Sequence, residues 1–244
     1  LTIKVKLYEA THIGKRDQNQ DFCAYMQTEQ ASCFVVADGL GGHQRGEIAS
    51  SFLCKAVMSE VQGSLSVIQN NPEQGIQDFL FKSYEKMRKN ILEEFGPLDT
   101  HTTFVLAWFN ESLLITAHVG DSRIYRVNPE TMLWRTPDHT LVQDLFEQGL
   151  ITEDEIGKHP EQNQLLRTVN LREKPDIDIV IHPPLNRDET LILCTDGFWT
   201  DTSITEIVKL ANTPDFEAAF QQQIERLSQK PYSDNITLQV IKII

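Results

Sequence analysis

The sequence is short of several features, and each shortage excludes a class of protein. Its four cysteines, Cys23, Cys33, Cys54 and Cys194, form no C-x-x-C pair, so the spacing of a zinc site is absent. Each sits among apolar neighbours, which reads as buried free thiols in a reducing compartment. No stretch approaches the roughly 20 apolar residues of a membrane span. The opening residues Leu1–Leu7 alternate apolar and polar like a strand and do not resemble a signal peptide. There is no run of Lys and Arg, and the formal net charge is −13. Such a chain repels nucleic acid and anionic lipid, so neither nucleic acid nor membrane is an expected partner. Internal repeats, low-complexity tracts and linkers are also missing. The sequence runs to Ile244 directly after a predicted strand, so no membrane anchor or regulatory tail is expected. The cytoplasm is the expected location.

What is present is ordinary in amount and specific in pattern. The chain has 244 residues, 40% hydrophobic and 23% charged, enough for one large core. The apolar run Phe34-Val35-Val36-Ala37 ends in Asp38, and the glycine-rich turn Gly39-Leu40-Gly41-Gly42-His43 follows. A buried strand ending in Asp delivers a carboxylate to the rim of a core. The glycines let the backbone bend and leave a carbonyl uncovered. Both features suit a hard cation that takes oxygen ligands, though Asp-Gly turns are common without one.

In chain order, strands are predicted at 1–9, 22–26 and 33–37. A helix follows at 44–61, then a polar connection at 62–72. A second helix runs over 72–95, with Pro72 at its start and Ile76, Phe79, Leu80, Tyr84, Met87, Ile91 and Leu92 at helical spacing. Three strands, 102–109, 113–119 and 123–127, are joined by Asn110-Glu111-Ser112 and Gly120-Asp121-Ser122. Such short connections predict hairpins and an antiparallel sheet. Residues 132–134 extend it. Residues 138–170 read as a polar, partly helical excursion, with a helix at 141–148. Strands return at 177–181 and 190–194, helices at 203–211 and 214–228, and a last strand at 236–241. This pattern predicts a single α+β domain over 1–244 with helices covering sheets.

Four times an apolar strand abuts an aspartate in a turn: Asp38, Asp121, Asp196 and Asp234. Asp21 adds a fifth, just before a strand. If these ends share one rim, mutual repulsion demands a cation. Magnesium and manganese fit, because they take oxygen ligands, keep several waters and need few protein groups. The alternative is five independent turn aspartates. Arg16, in the loop before Asp21, is placed to bind phosphate bidentately, or is an ordinary solvated arginine.

In this order the motifs resemble the metal-dependent protein serine/threonine phosphatases of the PPM, or type 2C, family. The resemblance rests on Arg16-x-x-Asn19-x-Asp21, Val36-Ala37-Asp38-Gly39-Leu40-Gly41-Gly42-His43 with Gly46-Glu47 and Ala49, and Thr102-Thr103. It continues through Ala117-His118-Val119-Gly120-Asp121-Ser122-Arg123, Asp138-His139-Thr140, His159-Pro160, Leu166-Arg167, Thr195-Asp196-Gly197 and Asp234-Asn235. The form of the glycine-rich turn and the 138–170 excursion resemble the bacterial branch, where that excursion is called the flap. The resemblance implies a four-layer α-β-β-α sandwich, two antiparallel sheets between helix pairs. It implies two Mn2+ or Mg2+ ions, with a possible third. Asp38 would bridge the pair, with the Gly39 carbonyl on one ion; Asp196 and Asp234 would hold the other. Asp121 with Asp196 would form the third site, and Asp21 would sit at the cluster. Arg16 would hold the substrate phosphate, and a water bridging the two metals would attack phosphorus in line. Phosphorylated proteins are the implied partners, products of a cognate Ser/Thr kinase, a secretion-system kinase among the cases.

The chain departs from the family pattern in places. Gln20 replaces the usual Glu and carries no charge. His101 and Asn170 stand where glycine is common, and Leu40 stands where some eukaryotic members carry a proposed general acid. Two other readings compete. One is a catalytically silent phosphoprotein-binding module of the same fold, favoured only by Gln20. The other is a phosphohydrolase forming an aspartyl-phosphate, which would want Asp-x-Asp where this chain has Asp38-Gly39-Leu40.

Overall fold

The computed structural model describes residues 4–40 and 45–244. Leu1, Thr2 and Ile3 of the predicted first strand, and Gly41, Gly42, His43 and Gln44 of the glycine-rich turn, lie outside the described residues. One sheet combines β1 (Val5–His12), β12 (Ile236–Ile243), β11 (Thr190–Cys194), β7 (Arg123–Val127) and β8 (Met132–Arg135), in that order. The other runs β10 (Asp178–His182), β6 (Leu114–Val119), β5 (Phe104–Phe109), β3 (Ser32–Asp38), β2 (Asp21–Gln27). Every neighbouring pair is antiparallel.

Side-chain alternation along these strands builds three apolar layers. Between the sheets lie Phe34 and Val36 of β3, Val105, Ala107 and Phe109 of β5, Leu191 and Leu193 of β11, and Ile241 and Ile243 of β12. Phe34 stacks on Phe109 with ring centroids 5.7 Å apart. Each fully buried ring of this kind contributes about 1.5–3 kcal/mol. The alternate residues Cys33, Val35, Ala37, Leu106 and Trp108 face α1 (Gly46–Asn70) and α2 (Pro72–Phe95). On the other side Ile192, Cys194, Leu238 and Val240 face α6 (Ile204–Asn212) and α7 (Phe216–Ser228). Burial on both faces explains why β3 reads as an unbroken apolar run. The result is the α+β, four-layer α-β-β-α sandwich.

Three expectations from the sequence fail, each for a physical reason. The first helix does not stop at Val61, and residues 62–70 are no polar connection. It continues to Asn70, because Val61, Leu65 and Ile68 keep the apolar stripe in register and are buried. The linker shrinks to Asn71, whose side chain accepts from the Gln74 N–H at the start of α2. The strand 102–109 is broken at Thr103 into β4 (His101–Thr102) and β5, because Thr102 pairs with Val169 at the end of the excursion while Phe104 pairs with Val119 of β6. The third failure is Gly120-Asp121-Ser122, which makes no hairpin: β6 and β7 belong to different sheets, and this turn carries the chain across. Asn110-Glu111-Ser112 does close a hairpin between β5 and β6.

The excursion at 138–170 holds α3 (Leu141–Glu147) and α4 (Glu153–Ile156) and returns through β9 (Val169–Asn170), which pairs with β4.

Candidate active site

Strand order alone collects the recurring aspartates. In the first sheet the ends of β1 and β11 and the starts of β12 and β7 lie side by side, because neighbours are antiparallel. In the second sheet the ends of β3 and β6 meet the starts of β2 and β5. Those ends carry the Arg16 loop, Asp196, Asp234, Asp121, Asp38, Asp21 and Thr103. Arg16, Asp38, Gly39, Asp121, Asp196 and Asp234 all line one cleft of ≈ 1080 Å³. Asp21 does not reach its wall. It lies beneath, the cross-strand partner of Asp38.

Each carboxylate is held through its backbone. The Asp38 carbonyl accepts from the Thr103 N–H and the Thr102 hydroxyl, both at 2.8 Å, and the Asp38 N–H donates to Thr103 Oγ1 at 3.2 Å. Asp196 opens the short helix α5 (Asp196–Trp199). A Cβ on Gly197 would lie 2.0 Å from the Asn235 carbonyl oxygen, so only glycine lets the Asp196 turn sit against Asp234-Asn235. Asn235 in turn accepts from the Gln20 N–H at 2.8 Å and donates to the carbonyls of Ile13 and Gln18, which anchors the Arg16 loop. The Arg16 guanidinium donates to Asp234 Oδ2 at 2.6 Å and is 57% exposed, so the arm is held by one bond and otherwise free to water.

The electrostatics are strained. Burial comes first, and the neighbouring Asp21, Asp196, Asp121 and Asp234 follow, in pushing Asp38 well above the usual carboxylate range. Burial, then Asp196 and Asp138, does the same to Asp121. Burial and then Asp234 push Asp196 up to about 6. Burial pushes Asp21 up to about 7, against a 2.9 Å hydrogen bond from Thr195. Asp21 Oδ1 is buried with no partner among the described residues. Converging carboxylates with raised proton affinity and an orphaned buried oxygen are a hard-oxygen donor set in want of positive charge. The residues present therefore fit divalent magnesium or manganese.

Several residues of the site carried no assigned role in the sequence. Thr102, Thr103 and Asn235 stand out only as motif members, and their bonds to Asp38, Gln20 and Ile13 span 64 or more residues of chain, so spacing could not show them. His101, noted only as a departure from glycine, lines the cleft and hydrogen-bonds Thr168 of the flap at 2.8 Å. Glu47, also in the wall, has Oε2 buried without a partner among the described residues. Gln20 lines the cleft as well.

An acidic rim between two sheets, with Arg16 and Arg45 in the same cleft, is a donor set suited to a cation and to an anionic ligand. Comparison with known proteins makes the class specific. A sequence profile described as protein phosphatase 2C matches residues 9–239. Serine/threonine phosphatase stp of Listeria monocytogenes is 30% identical over 85% of this chain and 83% of its own. Protein phosphatase PhpP of Streptococcus pneumoniae is 26% identical over 96% and 95%. The structure of the S. agalactiae serine/threonine phosphatase superposes with a TM-score of 0.79, at 26% identity, over 99% of this chain and 100% of that one. That of Stp1 from Staphylococcus aureus gives 0.81, at 26% identity, over 100% and 96%. The chain belongs to the protein phosphatase 2C family, in its bacterial branch. It is a phosphoprotein phosphatase, a hydrolase of a metal-dependent family.

Proposed function

We propose that this chain hydrolyses phosphoserine and phosphothreonine in proteins, with two Mn2+ or Mg2+ ions at the aspartate rim supplying an acidified bridging water and positive charge, and a possible third ion beside them. The observation that carries the reading is the convergence of Asp38, Asp121, Asp196 and Asp234 from both sheets into the cleft that Arg16 overhangs. Asp38 and the Gly39 carbonyl would hold one ion, Asp38, Asp196 and Asp234 the other, and Asp121 with Asp196 the third. Asp21, buried below them with one oxygen free, would reach the cluster through water. Arg16 would leave Asp234 for the phosphoryl oxygens, offering a planar fork of donors. The flap residues Asn163, Gln164, Leu165 and Thr168 wall the cleft and would face the substrate chain. No side chain is assigned as nucleophile, because Asp38 is followed by Gly39-Leu40 and not by a second acid.

In this proposal 1–244 works as one catalytic domain with 138–170 as its flap. Among the described residues no helix is long and apolar enough to cross a membrane. The four free cysteines fit a reducing compartment, so the cytoplasm is the proposed location. The substrates would be proteins phosphorylated by a cognate Ser/Thr kinase, one governing a secretion system included. The silent binding module has only Gln20 in its favour.

The test is phosphate release from a phosphothreonine peptide with manganese, with chelator, and with Asp38→Asn. Release that needs manganese and is lost in both controls supports the proposal. Absence of release from manganese-loaded wild type would reject it in favour of the binding module.

A further inference from the structure

A second cluster of metal-type side chains lies beside the rim. His118, His139 and Asp178 bring ligand atoms within 4.8 Å of one another. The three come from different places. His118 is on β6, its cross-strand partner Asp178 is on β10, and His139 stands where the flap leaves the sheet.

The bonds around His139 fix its state. The Gly120 N–H lies 3.2 Å from His139 Nδ1. A backbone N–H can only donate, so Nδ1 carries a lone pair and the ring proton sits on Nε2. That proton faces Asp178 Oδ2 at 3.2 Å. Asp178 Oδ1 accepts from Arg167 at 2.8 Å. Arg167 also comes within 3.5 Å of His139 Nε2, but both groups are donors and no bond results. The chain of bonds therefore runs in one direction, from Arg167 and His139 onto Asp178, with Nδ1 left as the acceptor for Gly120.

This arrangement argues against a metal in the cluster. The His118 and His139 rings stack, with centroids 4.6 Å apart and planes 24° apart. Lone pairs of near-parallel rings run side by side and do not converge on one ion. His118 Nε2 is also engaged by the Pro137 carbonyl at 2.9 Å, and a guanidinium already occupies the carboxylate.

What the cluster does hold is Gly120. Its N–H goes to His139 Nδ1, and its carbonyl accepts from the His139 N–H at 2.9 Å. The peptide groups on both sides of Gly120 are thus fixed by one residue. Gly120 has φ +99°, a conformation that favours glycine, and a Cβ there would lie 2.5 Å from Thr103 Cγ2. The next residue is Asp121, whose carbonyl accepts from Trp199 Nε1 at 2.9 Å. The direction in which the Asp121 carboxylate leaves this turn is set by those bonds. The flap's return is tied to the same residue, since the Leu166 N–H donates to the His139 carbonyl at 2.8 Å.

We propose that His139 is a positioning residue: oriented by Asp178 and Arg167, it clamps Gly120 and so aims the Asp121 carboxylate at the metal-binding rim. This rests on the role proposed above for Asp121 as a ligand. Groups that orient metal ligands through hydrogen bonds matter at the level of affinity, commonly 10–100-fold.

Manganese binding, counted and measured by calorimetry, tests this apart from turnover. Wild type should show a class of Mn2+ sites that Asp121→Asn removes. His139→Ala and His139→Gln should weaken that class by on the order of 10-fold and leave the other sites unchanged. His139→Asn, whose Oδ1 can take the place of Nδ1, should restore most of the affinity. If the alanine variant does not fold, the Asn and Gln variants carry the comparison, since both keep a polar amide and differ in where the acceptor lies. Equal manganese binding by the Asn and Gln variants would overturn the proposal. So would manganese retained in Asp121→Asn but lost in His139→Ala, which would make the cluster itself a metal site. A wild type with no Asp121-dependent site would instead remove the reading of Asp121, and this inference with it.

Discussion

Two groups of buried charge lie within one fold and are balanced in opposite ways. Where the flap leaves the sheet, each buried acid meets an arginine. Arg123 binds both oxygens of Asp138 at 2.6 and 2.7 Å, with its guanidinium 3.4 Å over the Trp199 ring. At the other end of β7, Arg126 donates twice to Oε2 of Glu189, and Arg135 approaches Asp138 from another side. At the rim, Asp21 and Asp121 are buried and Asp38 and Asp196 half-buried beside one another, and the guanidinium that reaches the group is the half-exposed Arg16, on Asp234. With Glu153 paired to Arg135, the first group is neutral as the chain supplies it and serves the fold. The second has donors arranged for charge that the chain does not supply, and it is the proposed reaction site.

The contrast predicts opposite responses. Arg123→Ala or Asp138→Ala should cost about 3–5 kcal/mol in denaturant unfolding, because each strands a buried charge. The loss should be the same with manganese or chelator. A cost below about 1 kcal/mol would erase the distinction between the two groups.

Acidity should sharpen it. Asp21 and Asp196 have folded-state values of about 7 and about 6, above the ordinary 3.8. The folded chain therefore keeps protons that the unfolded chain sheds. Their contribution is complete below about pH 4 and is lost as pH rises through 6 to 7. In chelator, stability should fall between pH 5.5 and pH 8 by on the order of 2 kcal/mol, measured from urea midpoints at constant slope. Saturating manganese should flatten that fall; a flat profile in chelator would mean the carboxylates do not feel one another.

The smallest effect concerns Arg16. Arg16→Ala should raise KM for a phosphopeptide about tenfold, the worth of one charge-assisted bond of roughly 1.5 kcal/mol, and leave manganese affinity nearly unchanged. Unchanged KM with weakened manganese binding would place Arg16 in the rim's charge balance and not on phosphate.

How much was legible in the sequence follows the same division. β3 with Asp38 and β11 with Asp196 are readable because an apolar run stops at a turn-forming acid, and both facts are local. The length of α1 is hidden by Gly63, Ser64 and Ser66, which look like a loop until α2 buries the stripe that continues through Leu65 and Ile68. Gly120-Asp121-Ser122 has the length of a hairpin turn. That it crosses between sheets is decided by partners far along the chain: Thr103 beneath Gly120 and bonded to Ser122, and His139 bonded to Gly120. The convergence of the aspartates depends on sheet order, which no spacing encodes. The positions of Asp38 and Asp196 were legible; the residues that aim Asp38 and Asp121 were not.

The most direct test of the account is a thermal melt of wild type and Asp38→Asn at pH 8, each in chelator and in saturating manganese. Manganese at a hundredfold excess over its dissociation constant should stabilise wild type by about 2.7 kcal/mol per site. Asp38→Asn should melt above wild type in chelator, having lost one repelling charge, and should gain little from manganese. A wild type that melts at the same temperature in both conditions, with Asp38→Asn below it, would contradict the claim that the rim is built around a missing positive charge.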